Sequence, residues 1–154
     1  MACFLNIYNI HFIVALFGEP DNVRYIANIE NGIDTSGILT LEYKGFKCVS
    51  IAAKDCAAPY INCIQGNRGC VYTDSPLFTL THFDYRMNKQ DPVHYDLDGN
   101  EHRMKHEFIR FLEMFNEKDY SSMNAYLDHS LAVMKVISEA RRDIGLVFPD
   151  DENL

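Results

Sequence analysis

The strongest constraint on this chain is a change in the spacing of its apolar residues. From Val23 to Leu97 they recur at every second position, and on either side they recur at every third or fourth. A period of two marks a strand with one face toward a core, and a period near 3.6 marks a helix packed along one stripe. Helix, then strands on short links, then helices is the order of an α+β domain. Links this short exclude parallel crossovers, so the pairing is mainly antiparallel. The spacing predicts an open, mainly antiparallel sheet of about six or seven strands with helices packed on one face. As a single domain over 1–154, this places a helix at 5–17, the sheet at 21–98 and helices at 101–145.

The strand stretches are "VRYIANIE", "ILTLEY", "FKCVSIAA", "PYINCI", "GCVYT", "PLFTLTHFDYR" and "VHYDL". "NGIDTSG" reads as the turn between the first two, Lys44-Gly45 as the next link, and "QGNRG" as a hairpin turn. In "ILTLEY" one face is Leu39, Leu41 and Tyr43 and the other is Ile38, Thr40 and Glu42. In "FTLTHF" the faces are Phe78, Leu80, His82 and Thr79, Thr81, Phe83. Neither pair has a uniformly polar side. A sheet with one solvated face alternates more cleanly, so the second face is expected to be covered, most simply by a second subunit.

Ile7, Ile10, Ile13, Val14 and Phe17 form the stripe of the first helix, which Gly18 and Pro20 end. This helix begins almost at the first residue and reads as the middle of a protein. Met104, Phe108, Phe111, Leu112 and Phe115 predict a second helix over 102–117. Met123, Leu127, Leu131, Met134 and Ile137 predict a longer one to about Arg142, with Gly145 and Pro149 beyond it.

Net charge is −8, from 14 Lys+Arg against 22 Asp+Glu, and no basic cluster forms. Nucleic acid and anionic membrane surfaces are therefore not expected partners. No apolar run approaches the ~20 residues that span a bilayer. The five cysteines include no C-x-x-C. They are expected to be buried free thiols in a reducing cytoplasm, in preference to a disulfide framework or a zinc site.

"YNIHFIVALFGEP", "GIDTSGILTLEYKG", "IQGNRGCVY", "HEFIRFLEMF" and "HSLAVMKVISEARRDIGLVFP" follow one another in this order. Together, from Leu5 to Pro149, they closely resemble the C-terminal half of the Gfo/Idh/MocA oxidoreductases. The resemblance implies a substrate-binding and dimerisation domain with a large open sheet. It implies NAD or NADP as cofactor of a full-length parent and none in this chain. The glycines here lie in turns, not between a strand and the helix that would cradle a pyrophosphate. Family members carry Asp-x-Gly-x-His or Asp-x-Gly-x-Tyr nine residues before the Phe of "FGEP", which falls on Phe4, Asn6 and Tyr8.

Tyr8 is thus the catalytic candidate. Removing hydride from an alcohol needs a group to take the hydroxyl proton. A tyrosine can do so when a nearby cation lowers its pKa, and in the family that cation is a lysine of the other half. Phe4 has no proton to exchange, so the chain alone is expected to be inactive. The competing reading of Tyr8 is a buried tyrosine with a satisfied hydroxyl. His11, Lys54, His82 and Arg86 are the substrate-binding candidates. Against them stand a packed histidine for His11 and an edge-strand charge for Lys54.

His102 and His106 have the i, i+4 spacing of metal ligands, but no third ligand accompanies them, and a solvated helix start is the better reading. His129 is expected to make packing and capping contacts with the sheet. Two functions follow. One is the substrate and dimer domain of an NAD(P)-dependent oxidoreductase acting on a sugar or polyol, a homodimer through its open sheet face. The other is a non-enzymatic oligomerisation or interaction module of the same descent.

Overall fold

The computed structural model describes residues 7–97, 102 and 104–146. The elements in chain order are α1 (Ile7–Phe17), β1 (Asn22–Glu30), β2 (Ile33–Tyr43), β3 (Phe46–Ala53), β4 (Asn62–Gly66) and β5 (Gly69–Thr73). A 3-10 turn (Leu77–Thr79) follows, then β6 (His82–Met87), β7 (Val93–Asp96), α2 (Lys105–Glu117) and α3 (Tyr120–Asp143). Every strand pairing is antiparallel. The α+β class and the antiparallel pairing are those the spacing predicts, with the strands divided into sheets of three and four. The chain forms two compact units, Met1–Ala57 with Tyr120–Leu154, and Ala58–Asp119.

The first unit has the order β1-β2-β3. Its first turn is Asn31-Gly32, both at positive φ (51° and 75°), between the paired residues Glu30 and Ile33. This two-residue turn matches the right-handed twist of the strands it joins. The turn is therefore shorter than the expected "NGIDTSG", and 33–37 belong to β2. Gly37 has a packing role instead. A Cβ there would stand 2.5 Å from the Tyr25 ring. The ring lies over that gap, and its hydroxyl donates to Asp34 Oδ2 at 2.9 Å.

Leu39, Leu41 and Tyr43 face inward, as predicted, against Val23 and Tyr25 of β1, Ile10 and Val14 of α1, and Val133, Val136, Ile137 and Ala140 of α3. Both helices cover this one face of the sheet. Asp143 closes the last turn of α3 on the sheet edge: its carboxylate accepts the Tyr25 amide (2.8 Å) and Arg24 Nη1 (3.2 Å). An edge amide that would invite another strand is thereby occupied.

The second unit has the order β4-β5-β6-β7. The "QGNRG" hairpin forms with Gly66 opposite Gly69. The expected continuous strand "PLFTLTHFDYR" does not form. Pro76 brings a fixed φ and leads into the 3-10 turn. Ser75 Oγ then gathers the loop, accepting from the Thr81 amide (3.0 Å) and lying 3.2 Å from Thr79 O. Residues 77–79 therefore have no strand faces, and alternation resumes at His82. α2 starts at Lys105 and ends with Lys118 in the left-handed region (φ 54°). There the Asp119 amide returns to Met114 O at 2.9 Å.

Candidate functional site

Tyr8 and His11 lie on α1, three residues apart and hence neighbours on its surface. Tyr8 is 55% exposed, so the buried-tyrosine reading does not hold. His11 is half-buried and meets α3: its Nδ1 lies 2.9 Å from Nε2 of His129, with ring centres 5.0 Å apart. Burial, and then the neighbouring His129, hold the His11 imidazole below its ordinary pKa. A charged imidazole is disfavoured at this distance from a second one, which adds to the effect of burial on His11. Next to His11, Asn9 donates to Ser50 Oγ of β3 at 2.9 Å. These contacts set the rotation of α1 on its unit, and Tyr8 is left half in solvent. His129 thus packs on His11 of α1, where contacts with the sheet were expected of it. Lys54 follows the end of β3, exposed, with its amide bonded to Thr35 O at 2.8 Å.

His82 and Arg86 belong to the second unit and alternate on one face of β6. His82 Nε2 meets Asp74 Oδ1 at 2.7 Å, and its Nδ1 lies 3.1 Å from Thr81 Oγ1. Arg86 stands opposite Cys70 of β5. The sequence reading missed the residues that complete this face. His94 Nδ1 meets Asp84 at 2.8 Å and its Nε2 meets Asp96 at 3.1 Å, and the His82 and His94 rings are 5.5 Å apart. The signal was present as two copies of one triplet, "HFD" and "HYD".

Cys48, Cys56, Cys63 and Cys70 are free thiols, but Cys56 and Cys63 are exposed, against the expectation of burial. Partial desolvation of the sulfur by its neighbours, and then Cys70, push the Cys63 thiol pKa up although the residue as a whole is exposed. His102 precedes α2 and its Nδ1 accepts the Met104 amide at 3.3 Å, so His102 and His106 do not share a face of α2. Among the described residues no group of three His, Cys, Asp or Glu converges on a point that could hold a metal.

A dinucleotide does not fit the described residues either. Its cradle needs a parallel strand running into a glycine turn and a helix N-terminus. Here the strands are antiparallel, and the positive-φ glycines Gly18, Gly32, Gly45 and Gly145 follow helices or join hairpins. No described helix is long and apolar enough to cross a membrane.

No protein-family profile matches the chain. It is similar to scyllo-inositol 2-dehydrogenase (NADP(+)) IolU of Bacillus subtilis (strain 168), with 26% identity over 151 residues. The aligned region is 96% of this chain and 45% of that enzyme. Its fold is that of part of a candidate oxidoreductase from Klebsiella pneumoniae whose crystal structure is known. The TM-score is 0.62 at 16% identity, over 97% of this chain and 51% of that one. The chain thus spans about half the length of each.

Proposed function

We propose that this chain is the substrate-binding and dimer-forming domain of an NAD(P)-dependent oxidoreductase of the Gfo/Idh/MocA type, acting on a polyol. The supporting observation is the alignment of nearly the whole chain with less than half of an inositol dehydrogenase. In this reading the dinucleotide is held by a domain of the parent enzyme, corresponding to the half this chain does not resemble. This chain supplies the polyol side of the cleft, with Tyr8 as the hydroxyl nearest the reacting carbon. His11 fixes α1 through His129. Lys54, on the same unit as Tyr8, binds hydroxyls of the ligand. The 154 residues alone are silent in this reading, because their described part offers no cradle for the dinucleotide.

The test joins this chain to the remaining portion of the Bacillus enzyme and follows NADPH formation from scyllo-inositol. The chimera is active, Tyr8→Phe lowers kcat by at least ~100-fold, and the 154-residue chain alone is silent. A fully active Tyr8→Phe chimera would overturn the role of Tyr8.

The assembly reading rests on the free face of the three-stranded sheet. Ile26 stands opposite Ile38, and Ile38 opposite Ile51. These three are 72%, 43% and 69% exposed, beside Val49 at 60%. A row of isoleucines across three strands is costly to leave in water. We propose that a second copy covers it in a homodimer burying more than ~1,000 Å² in total. Ile51→Lys then yields a folded monomer by sedimentation, with an unchanged circular dichroism spectrum. If the wild-type chain sediments as a monomer, this assignment fails.

A further inference from the structure

Two strands of the four-stranded sheet carry the same triplet, His82-Phe83-Asp84 on β6 and His94-Tyr95-Asp96 on β7. Their register sets His82 opposite Asp96 and Asp84 opposite His94. The four polar side chains share a face in an alternating pattern. Phe83 and Tyr95 stack at 4.9 Å from the paired positions between them. β7 is the last strand of its sheet, and all of its residues are exposed. Its ladder bonds and one aromatic stack leave it weakly held. His94 adds a tie across the two strands, with each ring nitrogen against a carboxylate: Asp84 on β6 at 2.8 Å and Asp96 on β7 at 3.1 Å.

We propose that His94 is a proton-operated clasp at the edge of the four-stranded sheet. Charged, it donates to Asp84 and Asp96 together and pins β7 to β6; neutral, it keeps one of the two ties and β7 opens more often from the edge of β6. The reason is donor arithmetic. An imidazolium has two N–H donors and a neutral imidazole only one. One carboxylate would then face a nitrogen lone pair. The hydrogen bond to Asp84, and then that to Asp96, raise the His94 pKa above its ordinary 6.5. A raised native pKa contributes stability that is complete below pH 6.5 and is lost as pH climbs through the higher native value.

Other groups on this face modulate the clasp. His82, 5.5 Å away, is itself tied to Asp74. Arg86 follows Asp84 on the same side of β6, and Tyr72 and Cys70 of β5 stand opposite Asp84 and Arg86. A metal is not favoured as the operator, because the two nitrogens of His94 address separate carboxylates and do not converge with His82.

The test uses the full chain. Imidazole NMR gives the His94 midpoint, and amide exchange from pH 5.5 to 8.5, with intrinsic rates divided out, gives the protection of β7. We expect a midpoint above 6.5. Protection of the β7 amides and of Leu97, whose amide bonds Thr81 O, falls roughly two- to fivefold across it, as for an exposed ion pair. β4 and β5 keep theirs. His94→Gln removes the pH step and holds β7 at the wild-type alkaline level. Asp96→Asn, which leaves the backbone ladder intact, lowers the midpoint and serves if the first variant does not fold. A midpoint at or below 6.5, or a step unaltered by the substitution used, overturns the proposal.

Discussion

The two units of this chain use similar strands, yet among the described residues only the first builds a continuous apolar interior. There Ile10, Leu41 and Ala140 are wholly inaccessible and Leu39 and Val133 nearly so. In the second unit the described buried residues are Thr73, Ser75 and Met114. The difference lies in the second layer. α1 and α3 close over one face of the three-stranded sheet and exclude water from a continuous apolar cluster. The four-stranded sheet instead relies on polar ties. Thr73 Oγ1 donates to His82 O at 2.7 Å and accepts the Ser75 amide at 2.9 Å. Alternating apolar residues thus suffice to specify a sheet, while a core also needs a helix whose stripe matches it.

The largest test of this contrast is a pair of truncations. Ile137→Ala in α3 leaves a cavity in a packed interior and costs about 2–5 kcal/mol. Tyr72→Ala on β5, 37% exposed, costs less than about 1 kcal/mol. Urea titration of each variant against the wild type measures both. Equal losses would show that the second unit has an interior of comparable quality.

Next in size is Gly37→Ala. The added methyl meets a Tyr25 ring that is 3% exposed and bonded to a carboxylate in the core. The ring must shift from a buried, hydrogen-bonded position to admit it, so the cost is about 1–3 kcal/mol. Tyr25→Phe, which strips Asp34 of that hydrogen bond, costs a similar amount. Combining the two identifies the cause. If the steric and hydrogen-bond effects act through the same ring, their sum exceeds the double-variant loss.

How much of this was legible in the sequence depends on whether one strand or two must be known. The inward set Leu39, Leu41, Tyr43 follows from period two within a single strand, and the α1 and α3 stripes from period 3.6 within single helices. Gly37 was misread as part of a turn because its role is set by Tyr25 on the neighbouring strand. The His-aromatic-Asp triplets went unread for the same reason: only the register of β6 with β7 turns two repeats into alternating charges. At Leu77–Thr79 the alternation continued in the sequence, but Pro76 led into a helical turn that apolar spacing alone does not encode. The candidate site divides similarly. Tyr8 and His11 are neighbours by helix geometry, whereas the hydrogen bond of His11 to His129, 118 positions away, needs the fold.

The smallest expected effect is the most discriminating, because it differs in sign between the units. Burial and His129 lower the His11 pKa. A depressed native pKa means that the unfolded chain takes up the proton first as pH falls below 6.5. The contribution of this group is therefore complete above 6.5 and is lost as pH drops through the lower native value. The α1–α3 contact should weaken in acid, while the β6–β7 edge should weaken in base. Amide exchange read separately over residues 7–17 and 93–96, from pH 5 to 8.5, checks both signs in one experiment. His11→Leu, which removes the titrating group, flattens the acid limb in α1 and leaves the alkaline limb in β7 untouched. Parallel pH profiles in the two segments would mean that a global change in charge, and not these two histidines, governs both.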